Sequence, residues 1–583
     1  MESLVQDEIQ RLLAAGRWRE AVQVCETQCR RSPSDPEAWF ALGSACVAGG
    51  RLSRAAQAFR RVLDLREDDA VAAYNLGRLE TMRGRPGEAV QYYRRAIAAD
   101  PGFYQAFNNL GNLCYRLGWL EQAEHYLATA VRLHPQTAMY HHNLGNVRRD
   151  LLQIETAVQC YREALRRDPA HREARSNLLF HLSYYVLCSP RELLDEHRAW
   201  DRVHGGPEKA RTFEHRNVPA PGRRLRVGYV SANLREHPVA VFLEPVLRHH
   251  DPAQVTVYCY AAVAQPDAVT RRLRELVPHW RDVADLDEPA LARRIHEDGI
   301  DILVDLAGHT ADNRLVTFAH RPAPVQVTYL GYCATTGLAA MDYWITDEIL
   351  HPAETAEEAV ETIHRLPRCW LCYQPPHEAP AVVPRAGEVP MTFASFNDLA
   401  KLTPRVIRLW SRLLQALPES RLLLKTRQLR SEVFRRHVQT AFAGQGIEPG
   451  RLMLQPASRD YLRAYGEVDI ALDPFPRTGG ATTADALWMG VPVVTLAGER
   501  FIERQGASML HALGLEELVA CDEEDYFHIA LRLARDPARR AALRRGLRQR
   551  MAASPLCDGC GLARALEAAY RRMWQAWVAR RQS

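Results

Sequence analysis

The 583-residue sequence lacks a long apolar run and a strong charge of either sign. No run of about 18 uncharged apolar residues occurs, which argues against a membrane-spanning helix. The opening residues, MESLVQDEIQRLL, contain no apolar core of the signal-peptide type. The formal net charge is only +5, so the composition gives no reason to expect binding to nucleic acid or to an acidic membrane. We therefore expect a cytoplasmic protein without a membrane span and without a nucleic-acid partner.

A regular cysteine framework is also missing, because the 13 cysteines are odd in number and scattered along the chain. This distribution favours reduced thiols over disulfides. The pairs Cys369/Cys372 and Cys557/Cys560 suggest a zinc ribbon, but 184 residues lie between Cys372 and Cys557. The two halves of a ribbon are usually about 15 to 20 residues apart. We expect these cysteines to be incidental and no metal to be bound, with zinc as the alternative.

A 34-residue repeat occupies the first third of the chain, where a Leu-Gly pair, an alanine and a proline recur in one phase. The positions are Leu42-Gly43, Leu76-Gly77, Leu110-Gly111 and Leu144-Gly145 for the pair; Ala21, Ala55, Ala89, Ala123 and Ala157 for the alanine; and Pro33, Pro101, Pro135 and Pro169 for the proline. This pattern is typical of tetratricopeptide repeats, in which helix pairs stack into a superhelix with a concave surface. We predict a superhelical domain over residues 1–185 and a helical linker over 186–222.

A fourth track in the same phase consists of asparagines at Asn75, Asn109, Asn143 and Asn177. Asparagine is a mediocre helix former, so its recurrence inside a helix needs a reason. A side-chain amide both donates and accepts, and a row of amides can therefore hold the backbone of an extended peptide. The alternative is that the asparagines bond neighbouring helices within the array. We predict that these four residues bind peptides and that the repeats have a protein partner.

The remaining two thirds of the chain have the pattern of two α/β domains. Short β-branched runs alternate with helical stretches, first from Leu225–Val230 to Tyr343–Thr346 and then from Thr392–Phe396 to Val491–Leu496. Buried runs separated by helices indicate parallel sheets, and ligands bind at the carboxyl ends of such strands. We predict one doubly wound domain over 223–385, a second over 386–555 and a final helix over 556–583, with a cleft shared between the domains.

The segment 470–485 combines a strand, a Pro/Gly loop and the start of a helix. Its glycine and polar positions include Gly479, Gly480, Ala481, Thr482, Thr483 and Asp485. The free N–H groups and the dipole of a helix start favour anions, the glycines permit close approach of a phosphate, and the aspartate can accept bonds from ribose hydroxyls. Neither a Walker ending nor a GxGxxG fingerprint occurs here, which disfavours a P-loop ATPase and a dehydrogenase. An ordinary capped helix is the alternative.

Two further side chains follow strands whose ends face the predicted cleft. Lys401 ends the segment 396–401, directly after the first strand of the second domain, and a cation there can neutralise a departing diphosphate. His237 lies in the loop after the first strand of the first domain and can act as a base or a binding group. Single lysines and histidines often have no such role, so a structural role is the alternative for both.

Together these features resemble the O-linked N-acetylglucosamine transferases and their bacterial relatives, in the same order and over essentially the whole chain. The resemblance is carried by the asparagine-laddered repeats, His237-Pro238, Arg321-Pro322-Ala323-Pro324-Val325-Gln326, Met341-Asp342-Tyr343, Phe396-Asn397 with Lys401, Gly479–Asp485, and Ser554-Pro555-Leu556 before a final helix. In that family, repeats precede two Rossmann-like domains of the GT-B glycosyltransferase fold. The family reaction inverts the anomeric centre and needs no metal.

The resemblance implies an enzyme that transfers N-acetylglucosamine from UDP-N-acetylglucosamine to Ser or Thr hydroxyls of proteins held by the repeats, with no cofactor. By position, Lys401 would hold the donor diphosphate, the loop 479–483 would bind its phosphates and Asp485 its ribose. His237 would lie beside the acceptor as a positioning group or a base. Asp298 is a further acid/base candidate.

Several positions depart from the family pattern around the donor. Gly480 stands where animal members have histidine, and Tyr461 replaces a histidine near the uracil pocket, where it would still stack on a base. Asn397 is a further expected donor-binding residue. Arg477-Thr478 replaces the usual Tyr-Asn, and Cys333–Gly337 replaces a Pro-Gly-Thr loop. Because these changes line the donor pocket, GDP-fucose and UDP-glucose stay open as donors. An asparagine acceptor stays open as well, and so does a scaffold role with a degenerate transferase half.

Overall fold

The computed structural model describes residues 2–185, 188–206, 209, 213–376, 378–385 and 390–582. The chain divides into two compact units, Met1–Ala174 and Arg175–Ser583. The boundary falls in the first turn of the helix Arg172–Tyr184. Within the described ranges, no helix is both long enough and apolar enough to cross a membrane.

The first unit consists of helices that pair with their neighbours in sequence, as the 34-residue repeat predicts. They are α1 (Glu2–Ala14), α2 (Trp18–Arg31), α3 (Pro36–Ala48), α4 (Leu52–Leu65), α5 (Ala70–Met82), α6 (Pro86–Ala99), α7 (Tyr104–Arg116), α8 (Leu120–Leu133), α9 (Ala138–Asp150) and α10 (Ile154–Arg167), followed by α11 (Arg172–Tyr184) across the boundary. The glycines of the Leu-Gly pairs allow close packing: a Cβ atom on Gly77 would lie 2.6 Å from the Tyr93 ring, and one on Gly145 would lie 2.6 Å from Tyr161. The recurring alanines are fully buried.

The first sheet of the second unit has seven parallel strands in its described part, in the order β3-β2-β1-β4-β5-β6-β7. The strands are β1 (Leu225–Ser231), β2 (Val255–Ala261), β3 (His279–Asp282), β4 (Ile302–Asp305), β5 (Val325–Thr328), β6 (Tyr343–Asp347) and β7 (Thr362–Leu366). Helices α12 (Pro190–His204), α13 (Pro238–His249), α14 (Ala268–Glu275), α15 (Glu288–Glu297) and α16 (Leu315–Ala319) accompany them. Val227 of β1 pairs with Val257 on one side and Ile302 on the other. The strand order therefore reverses between β1 and β4.

The second sheet, counted over the described residues, has six parallel strands in the order β10-β9-β8-β11-β12-β13. They are β8 (Thr392–Ser395), β9 (Arg421–Lys425), β10 (Leu452–Gln455), β11 (Ile470–Leu472), β12 (Val493–Leu496) and β13 (Val519–Ala520). The accompanying helices are α17 (Pro404–Ala416), α18 (Glu432–Ala443), α19 (Ala481–Trp488), α20 (Gln505–Ala512), α21 (Glu523–Arg535) and α22 (Pro537–Ala552). Phe393 of β8 pairs with Ile470 of β11, so the order reverses between these two strands. The prediction of two doubly wound parallel sheets is confirmed.

The last helix, α23 (Gly559–Gln582), follows the second sheet in sequence but packs against the first. Its Glu567 Oε1 lies 2.9 Å from Nδ1 of His250, at the end of α13. The hydroxyls of Tyr570 and Tyr229 are 3.2 Å apart, and Tyr229 belongs to β1. The final helix therefore completes the packing of the first domain.

Candidate functional site

Lys401 and the glycine loop meet where the strand order of the second sheet reverses. A short 3-10 turn after β8 ends at Lys401, and the glycine loop follows the adjacent strand β11. The buried Lys401 Nζ donates to Asn397 Oδ1 at 2.6 Å and to the Thr478 carbonyl oxygen at 2.9 Å. Ligands of doubly wound sheets bind at this kind of crevice, and the sequence prediction brought the same two segments together.

The loop is shaped by Asp473, a buried carboxylate that follows β11 directly. Its Oδ1 accepts from the Gly479 amide at 2.8 Å and from the Thr483 hydroxyl at 3.1 Å. Its Oδ2 accepts from the Thr495 hydroxyl at 2.9 Å. Burial raises the pKa of the Asp473 carboxyl, while the nearby Lys401 favours its charged form. A Cβ atom on Gly479 would lie 2.2 Å from the Thr483 hydroxyl oxygen, so this bonding pattern requires glycine there.

The start of α19 points unsatisfied amides into the crevice. Gly480 is the residue before the helix and gives no side-chain cap. The amides of Gly480, Ala481 and Thr482 have no hydrogen-bond partner among the described residues. The Thr482 hydroxyl donates to Asn397 Oδ1 at 3.0 Å, which ties the helix start to the Lys401 loop. Free amides, a helix dipole and a cation in one place form an anion site.

The electrostatics of the crevice also favour an anion. Burial lowers the pKa of Lys401, and the nearby guanidinium of Arg477 lowers it further. A cation held in this way regains its charge when a negative group neutralises the repulsion around it. The geometry and the charges therefore point to the same kind of ligand.

Asp485 and Tyr461, both predicted to contact the nucleoside, bond to each other. The Tyr461 hydroxyl donates to Asp485 Oδ2 at 2.7 Å, and the Tyr373 hydroxyl donates to Asp485 Oδ1 at 2.5 Å. Burial raises the pKa of the Asp485 carboxyl. Asp485 lies in the first turns of α19, close to the free amides, so the predicted ribose contact stays a prediction. It would have to coexist with the two tyrosine bonds or replace them.

His237 caps the start of α13, after the carboxyl end of β1. Its Nδ1 accepts from the Val239 amide at 3.2 Å. Burial, together with Arg235, lowers its pKa to about 4. The ring is therefore neutral near pH 7 and, because Nδ1 accepts, its proton is on Nε2. His237 lies on the predicted wall of the cleft, but no hydrogen bond among the described residues joins it to Lys401.

Asp298 is the site candidate that the structure places away from the crevice. It follows α15 and precedes β4, so it lies at the amino edge of the first sheet, whereas His237 follows the carboxyl edge. Its carboxylate accepts from the Tyr260 hydroxyl at 2.9 Å and forms an ion pair with Arg281 at 3.2 Å. Asp298 therefore has structural contacts at the amino edge, whereas parallel strands carry their carboxyl ends to the cleft. Its acid/base role stays a prediction that this placement does not support.

The two domains of the second unit face each other through loops at their carboxyl edges. Gln505 Nε2 donates to Cys333 Sγ at 2.9 Å, and the Ser508 hydroxyl donates to Asp347 Oδ2 at 2.5 Å. The Phe501 amide donates to Glu357 Oε2 at 2.7 Å. The anion site of the second sheet therefore opens toward the first domain, as the predicted shared cleft requires.

The asparagine track forms bonds within the helical array. In the first unit, Asn143 Nδ2 donates to Asn108 Oδ1 at 3.0 Å, Asn108 donates to Asn109 at 3.2 Å, and Asn109 donates to the Tyr74 hydroxyl at 3.0 Å. Asn75 Nδ2 donates to the Val71 carbonyl within its own helix. Such bonds agree with the alternative in which the asparagines connect neighbouring helices. Asn75, Asn109 and Asn143 are nevertheless partly exposed. Asn177 lies in α11 of the second unit, where its carbonyl oxygen accepts from His181.

The two Cys-x-x-Cys pairs contribute free thiols. Cys369 and Cys372 are buried, Cys557 is partly buried and Cys560 is exposed. No cluster of three or more potential metal ligands occurs in the part of the chain that the structure describes.

The sequence prediction missed Asp473 and Tyr373 as parts of the site. Asp473 lies directly after a buried strand and before the glycines, a position from which a carboxylate can bond a turning loop. Tyr373 precedes the domain junction by many residues, and no sequence pattern links it to Asp485. Only the fold brings the latter pair together.

Two doubly wound domains that face each other, with an anion site at a switch point of one, define a two-domain glycosyltransferase of the GT-B class. The chain belongs to glycosyl transferase family 41, whose family model matches residues 201–376 and 385–565. Tetratricopeptide repeat models match residues 7–70, 47–102, 81–144 and 140–171.

Similar proteins include plant and bacterial transferases. The probable UDP-N-acetylglucosamine–peptide N-acetylglucosaminyltransferase SPINDLY of Oryza sativa subsp. japonica is 41% identical over 433 residues, 72% of this chain and 46% of the relative. The Arabidopsis thaliana protein of the same name is 41% identical over 70% of this chain and 46% of its own length. The chain thus spans about half the length of the curated relatives it matches. A solved mutant of the Thermobaculum terrenum O-GlcNAc transferase has a TM-score of 0.79 and 39% identity, covering 88% of this chain and 98% of that one.

Proposed function

We propose that this protein transfers N-acetylglucosamine from UDP-N-acetylglucosamine to Ser or Thr hydroxyls of proteins bound by its repeats. The observation that carries the proposal is the convergence of Lys401 Nζ with the free amides of Gly480, Ala481 and Thr482 at one switch point. The names of the plant relatives and of the bacterial transferase support the donor and the peptide acceptor.

In the proposed reaction, the acceptor oxygen bonds to the anomeric carbon as the bond from that carbon to the UDP oxygen breaks. Attack in line with the leaving group inverts the sugar centre. Lys401 and the amides at the start of α19 stabilise the charge that develops on the diphosphate, without a metal ion. Groups of this kind contribute about 10²- to 10³-fold each to the rate, and alignment of the two substrates supplies much of the remainder.

His237 fits a donor role in this reaction better than the role of a base. Its Nδ1 already accepts from Val239, so in the neutral ring Nε2 carries a proton and can donate to a phosphate or to the acceptor. The hydroxyl proton then passes to a phosphate oxygen of the donor. Tautomers follow from the hydrogen bonds that fix the ring, and this assignment makes His237 a positioning group.

The repeats are proposed to hold the protein acceptor. Asn109 and Asn143 are linked through Asn108, and Asn75 bonds within its own helix. Asn75, Asn109 and Asn143 all keep exposed surface at which a peptide can bind. We also propose a cytoplasmic location, which the free thiols spread over the chain support.

The test is to incubate the purified chain with labelled UDP-N-acetylglucosamine and a cell lysate, with GDP-fucose and UDP-glucose in parallel. Labelled protein whose sugar is released by mild alkali supports O-linkage, whereas alkali-stable label indicates an asparagine acceptor. The Arg405→Gln variant serves as the control, because Arg405 is exposed and its charge is paired with Glu523. If no sugar is transferred and no donor is hydrolysed in any arm, the proposal fails.

A further inference from the structure

Arg477 is held in the loop before the glycines by three aromatic side chains of one helix and its end. Its guanidinium carbon lies 4.6 Å from the ring centroid of Tyr184, 5.2 Å from Tyr185 and 5.8 Å from Phe180. The rings of Phe180 and Tyr184 stack at 4.3 Å. Arg477 also donates a hydrogen bond to the Tyr185 hydroxyl. Cation–π contacts hold a guanidinium in place without neutralising it.

The positive charge of Arg477 is not balanced by an ion pair. No carboxylate of the described residues lies within ion-pair distance of its guanidinium. The buried carboxylate Asp473 already accepts three hydrogen bonds, from Gly479, Thr483 and Thr495. Arg477 and Lys401 repel each other strongly enough to lower the pKa of Lys401. Buried or half-buried like charges are costly unless an anion pairs with them.

The pocket therefore holds two cations and three free amides. Two carboxylates act on Lys401: Asp473, whose oxygens are occupied, and Asp398, which is exposed and accepts from the Ala400 amide and from Gln428. Near pH 7 a phosphate monoester already carries nearly two negative charges, so total charge alone does not distinguish it from a diphosphate. A diphosphate, however, offers a separate phosphate group to each cation. A planar guanidinium can also bind two phosphate oxygens at once. The number of cations and free amides therefore favours two phosphate groups over one.

We propose that Arg477 is the second phosphate-binding cation of the donor site and makes it selective for nucleoside diphosphates over monophosphates. The proposal rests on the donor site described under the proposed function and adds a residue that determines specificity. The wall of Phe180, Tyr184 and Tyr185 holds the guanidinium where its charge acts on Lys401, so these three are positioning residues.

The experiment measures by calorimetry the binding of UDP, UMP, uridine and GDP to the wild type, Arg477→Gln, Arg477→Lys and Arg405→Gln. Arg405 is the matched control, because it also lies over a ring, at 5.7 Å from Phe475, but is exposed and paired with Glu523. Loss of a charge-assisted bidentate contact is expected to weaken UDP about 10- to 100-fold in Arg477→Gln. The affinity for uridine should be unchanged, and the affinity for UMP should fall much less than that for UDP. The affinity of Arg477→Lys for UDP should lie between those of the wild type and Arg477→Gln.

Two results would overturn the proposal. The first is an Arg477→Gln variant that binds UDP within about twofold of the wild type. The second is an equal loss for UDP and uridine, which would indicate a structural role for Arg477. A wild type that binds neither UDP nor GDP would instead remove the proposed function itself, and this inference with it. The inference fails while the proposed function stands if the wild type binds UDP and one of the first two results is obtained.

Discussion

Replacement of Lys401 by methionine tests the proposed chemistry most directly. Methionine keeps the length and most of the volume of the side chain but removes the charge and two hydrogen bonds, to Asn397 Oδ1 and to the Thr478 carbonyl. Each bond contributes about 0.5 to 1.5 kcal/mol net. The burial cost of the ammonium and its repulsion by Arg477 disappear at the same time. We therefore expect the free energy of unfolding without ligand to change by no more than about 2 kcal/mol.

Transfer should respond far more strongly than stability in Lys401→Met. Removal of one preplaced group that stabilises developing charge costs about 10² to 10³ in kcat, or about 3 to 4 kcal/mol. The assay is kcat at saturating donor for sugar transfer and for donor hydrolysis, with thermal unfolding measured on the same preparations and Arg405→Gln as the control. A folded variant with kcat within tenfold of the wild type would refute the role of Lys401. So would an equal loss of kcat in the control.

Three further predictions concern pH, the loop and the repeats. The pKa of folded Lys401 is lowered to about 7, so the unfolded chain holds more protons than the folded chain between pH 7 and about 10.4, and the free energy of unfolding without ligand should rise with pH through this window. Over the same window, binding of UDP should take up a proton and become weaker. Calorimetry in two buffers of different ionisation enthalpy measures this proton, and proton release would contradict the prediction. Gly479→Ala places a Cβ atom 2.2 Å from a hydroxyl oxygen and should lower the free energy of unfolding by about 1 to 3 kcal/mol, measured by thermal unfolding. The control Gly450→Ala, with no atom within 4 Å of its Cβ position, should leave the free energy of unfolding nearly unchanged. Equal melting temperatures for the two variants would contradict the loop geometry. Replacement of Asn109 and Asn143 by alanine should reduce transfer to whole proteins more than to a short peptide, and an equal loss together with a lower melting temperature would indicate damage to the array.

The sequence predicted the elements of the site that depend on local pattern. A lysine directly after a strand and a glycine loop after another can be located from hydrophobic runs, and parallel strands bring such ends to one edge. This placed Lys401 and the segment from Gly479 to Thr483 correctly in the fold. Their contacts with a donor remain predictions.

The same sequence patterns do not predict contacts between segments that are far apart in the chain. The hydrogen bond from Arg477 to Tyr185 spans 292 residues, and that from Tyr373 to Asp485 spans 112. Both depend on how helices and loops pack over two sheets, which no periodicity specifies. The position of Asp298, in contrast, can be read from the sequence. It lies just before the strand Ile302–Asp305, which places it at the amino edge of the sheet.

The return of helix α23 to the first sheet has a consequence for biosynthesis. His250 and Glu567 are 317 residues apart in sequence, so the first domain leaves the ribosome long before the helix that covers it. Until that helix is made, the α13 surface around His250 stays uncovered, and domains that complete late are exposed to association with other chains. The first α/β domain should therefore reach its native packing only after synthesis of the second has ended.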